Sequence, residues 1–149
     1  MGKKLSGIHF GQRVKQSGQS DIDILIRLNQ FLWDKFGMAF KREWYMLFER
    51  DGSLNSIRKE VTLFEAQLHK IRNPDLIYKG KNGKILIIEV DGNAHKHHVS
   101  RTLDRNHDYI LAGIDYIIVD LPDLKFLKMT PEQFLTSEVG HWKTINGLG

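Results

Sequence analysis

The chain has 149 residues, no cysteine, a formal net charge of +4 and a pI near 9.3. Its length fits one domain, which at roughly 150 residues buries about 70% of its unfolded surface. The lack of cysteine excludes a disulfide framework, a cysteine nucleophile and any thiolate metal site, and fits a reducing, cytoplasmic setting. No apolar run approaches the ~20 residues that span a bilayer, and Met1-Gly2-Lys3-Lys4 leads into no apolar stretch, so neither a membrane span nor a signal peptide is expected. The basic balance favours polyanions such as nucleic acid.

Residues 1–19 are rich in Gly, Ser, Lys and Gln and read as a basic arm. Residues 20–149 read as a single folded domain. A helix begins at Ser20, an N-cap residue with Asp23 three positions on as in a capping box. Ile22, Leu25, Ile26, Leu32, Trp33 and Phe36 recur at helical spacing. Ile24, Leu28 and Phe31 give the helix a second apolar face, which predicts cover on both sides, with Trp33 in the core, until Gly37 stops it. Phe40 to Glu49 is rich in aromatics and reads as one strand, followed by a turn at Asp51-Gly52-Ser53. Lys59 to Lys70 suits a strand or a short helix.

After Asn73-Pro74, a strand runs from Asp75 to Lys79, Gly80-Lys81-Asn82-Gly83 makes the turn, and Ile85-Leu86-Ile87-Ile88 forms a buried partner strand. A helix from Ser100 to about Ala112, closed by Gly113, leads to a second buried strand at Tyr116-Ile117-Ile118-Val119. This order is a βαβ unit with parallel strands. Thr130-Pro131 opens a last short helix. The expected fold is an α/β sandwich with a mixed sheet.

Asp75 and Glu89 occupy the same end of the expected hairpin. Glu89 and Asp91, two residues apart on one strand, face the same way. The three carboxylates therefore converge. A carboxylate at the mouth of a buried strand is costly to desolvate unless something pairs with it. A divalent cation is one such partner, and Mg²⁺ or Mn²⁺ held by Asp75, Glu89 and Asp91 could lower the pKa of a water and neutralise charge on a phosphodiester.

Asn73-Pro74-Asp75-Leu76 and, starting thirteen positions after Asp75, Ile88-Glu89-Val90-Asp91-Gly92 resemble the signature of the PD-(D/E)XK nucleases. Within that superfamily the chain is similar to the branch related to very-short-patch repair endonucleases, where acidic-x-Asp-Gly-x-x-His replaces Glu-x-Lys. Glu89-Val90-Asp91-Gly92-Asn93-Ala94-His95 follows that pattern, as do Arg105 on the next helix and Gly113 before the next strand. The resemblance covers about residues 73–120.

That resemblance implies a restriction-endonuclease-like core, a mixed sheet flanked by helices, and a Mg²⁺- or Mn²⁺-dependent endonuclease hydrolysing DNA phosphodiester bonds. The DNA could be a duplex, a flap, a nick or a four-way junction. It implies catalytic roles for Asp75, Glu89, Asp91 and His95, with His95 as base or water-orienting group. Lys96, Arg101 and Arg105 are nucleic-acid-binding candidates, Arg105 either on a phosphate or as a brace for the carboxylates. Asp23 stands where the family often has an acidic residue near the metal ligands, and serves equally as a capping-box residue. Small members often dimerise, so a homodimer is expected. Asp91 stands where most of the superfamily has a catalytic Lys, and the zinc-site cysteines of very-short-patch repair enzymes are absent. The alternative reading is a non-catalytic nucleic-acid binder on the same fold.

Overall fold

The computed structural model describes residues 19–92 and 99–148. The basic arm, apart from Gln19, and the segment containing His95 and Lys96 lie outside the described residues. Within them the chain forms α1 (Gln19–Phe36), β1 (Tyr45–Phe48), β2 (Leu54–Arg58), α2 (Leu63–Leu68), β3 (Lys70–Arg72), β4 (Leu76–Lys79), β5 (Ile85–Asp91), α3 (Val99–Leu111), β6 (Asp115–Asp120), α4 (Leu121–Phe126) and α5 (Pro131–Ile145). The architecture is mixed α/β, with two three-stranded sheets ordered β2-β1-β3 and β4-β5-β6 and flanked by helices.

The aromatic stretch expected to be one strand is divided between the two sheets. Lys41 bridges Ile77 of β4 by a reciprocal pair of backbone hydrogen bonds (2.7 and 2.9 Å), whereas Tyr45–Phe48 forms the middle strand of the other sheet. Between them Glu43 adopts φ +64°, a left-handed conformation that ends an extended run. The ambiguous stretch resolves into α2, entered through a Thr62–Glu65 capping box, and the short strand β3. The last helix, also capped by a box at Thr130–Gln133, is longer than expected at 15 residues, and α4 precedes it.

The β4-β5-β6 sheet carries the hairpin and the βαβ unit. β4 and β5 are antiparallel, with Leu76 opposite Ile88, and β5 and β6 are parallel, with Ile88 opposite Ile117. Alternation along β5 decides what each face meets. Leu86 and Ile88 are fully buried and, with half-buried Val90, pack on one side against Leu28 and Leu32 of α1 and Leu135 and Val139 of α5. Ile87 faces the other way, onto Met46, Phe48 and Tyr109. Glu89 and Asp91 continue that second side, where α3 lies.

α1 is covered on one side only. Leu28 and Leu32 are fully buried, but Trp33 is 55% exposed and Ile26 50%. The expectation of a helix buried on both faces, with Trp33 in the core, is thereby corrected. The sheet offers α1 one apolar face, and nothing among the described residues lies beyond the helix to receive the other.

The position of α3 is fixed at its C-terminus. Gly113, at φ +70°, lets the Gly113 N–H reach the Ile110 carbonyl (3.0 Å) and the Ile114 N–H reach the Tyr109 carbonyl (2.9 Å), the hydrogen-bond pattern of a Schellman cap. The chain then turns directly into β6, which places the last two turns of α3 beside β6 and over the end of β5.

Candidate functional site: a carboxylate cluster at the hairpin mouth

At the open end of the β4–β5 hairpin, the two strands exchange side chain for backbone. The Asp75 N–H donates to Glu89 Oε1 (2.8 Å), and the Val90 N–H donates to Asp75 Oδ2 (2.8 Å). Each carboxylate is thus held by the partner strand where the backbone ladder ends. Asn73 fixes the approach to Asp75 by donating from Nδ2 to the Trp44 carbonyl (2.7 Å).

Two side chains of α3, one helical turn apart, close the cluster from above. The Tyr109 hydroxyl donates to Glu89 Oε2 (2.8 Å). Arg105 presents its fork to Asp91, Nη1 to Oδ1 and Nη2 to Oδ2, both at 3.1 Å, and its Nε lies 3.2 Å from Glu89 Oε2. Such bidentate geometry is the strong form of the arginine–carboxylate pair. Glu89 is 4% exposed and Asp91 5%, so both carboxylates have left water.

Burial and crowding decide the protonation behaviour. Desolvation, followed by the neighbouring charge of Glu89, drives the Asp75 carboxyl well above the usual carboxylate range, against the pull of its hydrogen bond from Val90. Glu89 is also raised by burial, opposed by Arg105, by the Asp75 N–H and by the Tyr109 hydroxyl. Burial pushes the Tyr109 phenol up strongly and the Glu89 charge adds to it, so the hydroxyl keeps its proton and stays a donor. Burial works against the Arg105 charge, but the hydrogen bond to Asp91 and the charges of Glu89 and Asp91 outweigh it and hold the guanidinium above its ordinary pKa.

Among the described residues three carboxylates thus face a single guanidinium, and a buried excess of negative charge is unfavourable unless a cation or a proton answers it. Asp75 Oδ1 accepts no hydrogen bond among the described residues, and the Glu89 charge acts directly on the Asp75 carboxyl. This donor set of hard oxygens with one unfilled position suits a divalent cation such as Mg²⁺ or Mn²⁺. Asp91 differs from the other two because Arg105 takes both of its oxygens. Among the described residues no group of three His, Asp or Glu side chains is arranged as a ready ligand set.

The structure therefore brings together Asp75, Glu89, Asp91 and Arg105, with Arg105 in its bracing arrangement. Arg101 is exposed on α3, and Asp23 is exposed on α1. Tyr109 was not singled out from the sequence. Its signal was its place four residues after Arg105, on the same helix face. A second ionic group also went unrecognised. Asp108, 9% exposed, joins Lys70 Nζ (2.9 Å) and Arg72 Nε (2.6 Å) of β3 to α3 beside Tyr109. No helix among the described residues is long and apolar enough to cross a membrane. No family model, curated protein or solved structure matches the chain.

Proposed function

We propose that the chain is a divalent-metal-dependent DNA endonuclease of the PD-(D/E)XK type, with a restriction-endonuclease-like core. The observation that carries this reading is the half-buried Asp75 paired with the buried Glu89, held by the reciprocal bonds of the hairpin mouth and left, among the described residues, with more negative charge than Arg105 balances. The antiparallel hairpin followed by a helix and a parallel strand supports it, since that order puts the sequence signature at the end of a central strand.

Asp75 and Glu89 would hold the metal, which when bound would activate a water for attack and offset charge developing on the phosphodiester. The chain's own groups do the rest. The Asp75 N–H and the Tyr109 hydroxyl fix the Glu89 carboxylate at both oxygens, so its orientation is set before any ligand arrives. Arg105 holds Asp91 in place through both of its oxygens. Asp91 positions the water, and His95 takes its proton, the role that the family resemblance gives it.

The engagement of both Asp91 oxygens by Arg105 favours a second reading, a nucleic-acid binder on the same fold without catalysis. Incubation of the purified chain with linear, nicked, flapped and four-way-junction DNA, with and without Mn²⁺, separates the two. Cleavage of at least one substrate that requires Mn²⁺ and disappears in Glu89→Gln is expected. Binding without cleavage of any substrate selects the second reading.

A further inference from the structure

Lys70 and Arg72 lie two residues apart on β3 and so project to the same side of the strand. Both meet one carboxylate, that of Asp108 on α3: Lys70 Nζ lies 2.9 Å from Oδ1 and Arg72 Nε 2.6 Å from Oδ2. Two cations on one carboxylate leave the group with a net positive charge, on a molecule whose neighbouring cluster is negative.

Arg105 spends its fork on the two oxygens of Asp91. Arg72 does otherwise. It is bound through Nε alone, and its two terminal nitrogens make no hydrogen bond among the described residues. The Lys70 side chain is 56% exposed and uses one of its three donors on Asp108. Asp108 therefore acts as a buried clamp that holds two cations side by side with their remaining donors unspent. A planar edge of guanidinium N–H groups beside an ammonium is the arrangement that takes a phosphate.

The position is next to the carboxylate cluster. Asp108 adjoins Tyr109, the donor to Glu89, and Arg72 is among the charges that act on Tyr109. Arg72 also precedes Asp75 by three residues, a stretch that spans at most ~10 Å. At ~3.4 Å of rise per nucleotide, that is a few nucleotides of one strand.

We infer that Lys70 and Arg72, clamped by Asp108, form a subsite for a backbone phosphate of a nucleic-acid strand whose neighbouring nucleotides run past Asp75 and Glu89. The placement beside those carboxylates rests on the nuclease reading, but binding at the subsite needs neither metal nor cleavage.

The test is fluorescence anisotropy of a labelled DNA duplex with the full chain in EDTA, over a range of salt concentrations. Lys70→Ala and Arg72→Gln are each expected to weaken binding roughly 3- to 10-fold and to reduce the slope of log affinity against log salt by about one. Arg72→Lys is expected to retain the slope, and Lys81→Ala, at the opposite end of the hairpin, to leave both quantities unchanged. Lys70→Ala leaves the Arg72–Asp108 pair in place, so it remains informative if Arg72→Gln fails to fold. Wild-type affinity and slope in Lys70→Ala and Arg72→Gln, with or without a lowered Tm, would show a structural tie only and overturn the inference. So would absence of DNA binding at low salt, or saturable binding of inorganic phosphate that the variants lose while DNA affinity stays unchanged. A chain that binds DNA with these slopes yet cleaves nothing keeps the subsite and loses the nuclease, so the two claims fail separately.

Discussion

At the scale of single residues, Asp75 is the group most out of balance. Its carboxyl is raised well above its ordinary value of 3.8 by burial and by Glu89, and Glu89 is raised above 4.5. A carboxyl whose pKa is higher in the folded than in the unfolded chain stabilises the fold below the unfolded pKa, and that contribution is lost as pH rises through the folded pKa. The metal-free chain should therefore lose stability as pH climbs from about 4 toward and past the raised Asp75 value. Asp75→Asn should flatten that decline, because an amide oxygen still accepts from the Val90 N–H and no charge is buried. Thermal melts in EDTA across this range read the effect, and a wild-type Tm that rises steadily with pH over the same window would contradict it. Much of this was legible in the sequence. The spacing of Asp75, Glu89 and Asp91 follows from the hairpin and the two-residue strand period. Arg105 was legible as a brace for the carboxylates, but that it grips Asp91 with its fork, and that Tyr109 donates to Glu89, was not, because both reach the cluster only once Gly113 has set how α3 sits over the sheet.

At the scale of elements, β5 and α3 were readable because their periodicity and punctuation agree, with four aliphatic residues before Glu89 and a glycine closing the helix. α1 was half readable. Its apolar residues run around the helix, and sequence alone does not say how many neighbours the fold supplies. The structure supplies the sheet and α5, both on one side, and this separates adjacent residues sharply. Leu32 is fully buried while Trp33 is 55% exposed. Leu32→Ala should cost about 2–5 kcal/mol through lost burial and a cavity. Trp33→Ala should stay within roughly ±0.5 kcal/mol, as expected for a surface position. Chemical denaturation of the two variants checks the contrast, and comparable losses would mean that the outer face of α1 is covered in solution. The 40–49 stretch misled for a local reason. Its aromatic content is that of a strand, but the positive φ at Glu43 divides it between two sheets.

At the scale of the whole molecule, the carboxylate cluster lies where the β4-β5-β6 sheet, α3 and the approach from β3 meet, so the site joins elements distant in sequence. Lys70 and Arg72 reach Asp108 across 38 and 36 residues, and Asp75 reaches Glu89 across 14. A ligand bound there is bound by the folded state alone and stabilises it by mass action. The account rests on Asp75 and Glu89 together answering to a divalent cation, and calorimetric titration of Mn²⁺ into the metal-free chain and into Asp75→Asn and Glu89→Gln examines that directly. Saturable binding to the wild type, lost in both folded variants, is the predicted result. Binding of equal strength in all three proteins, or none in the wild type, would contradict it.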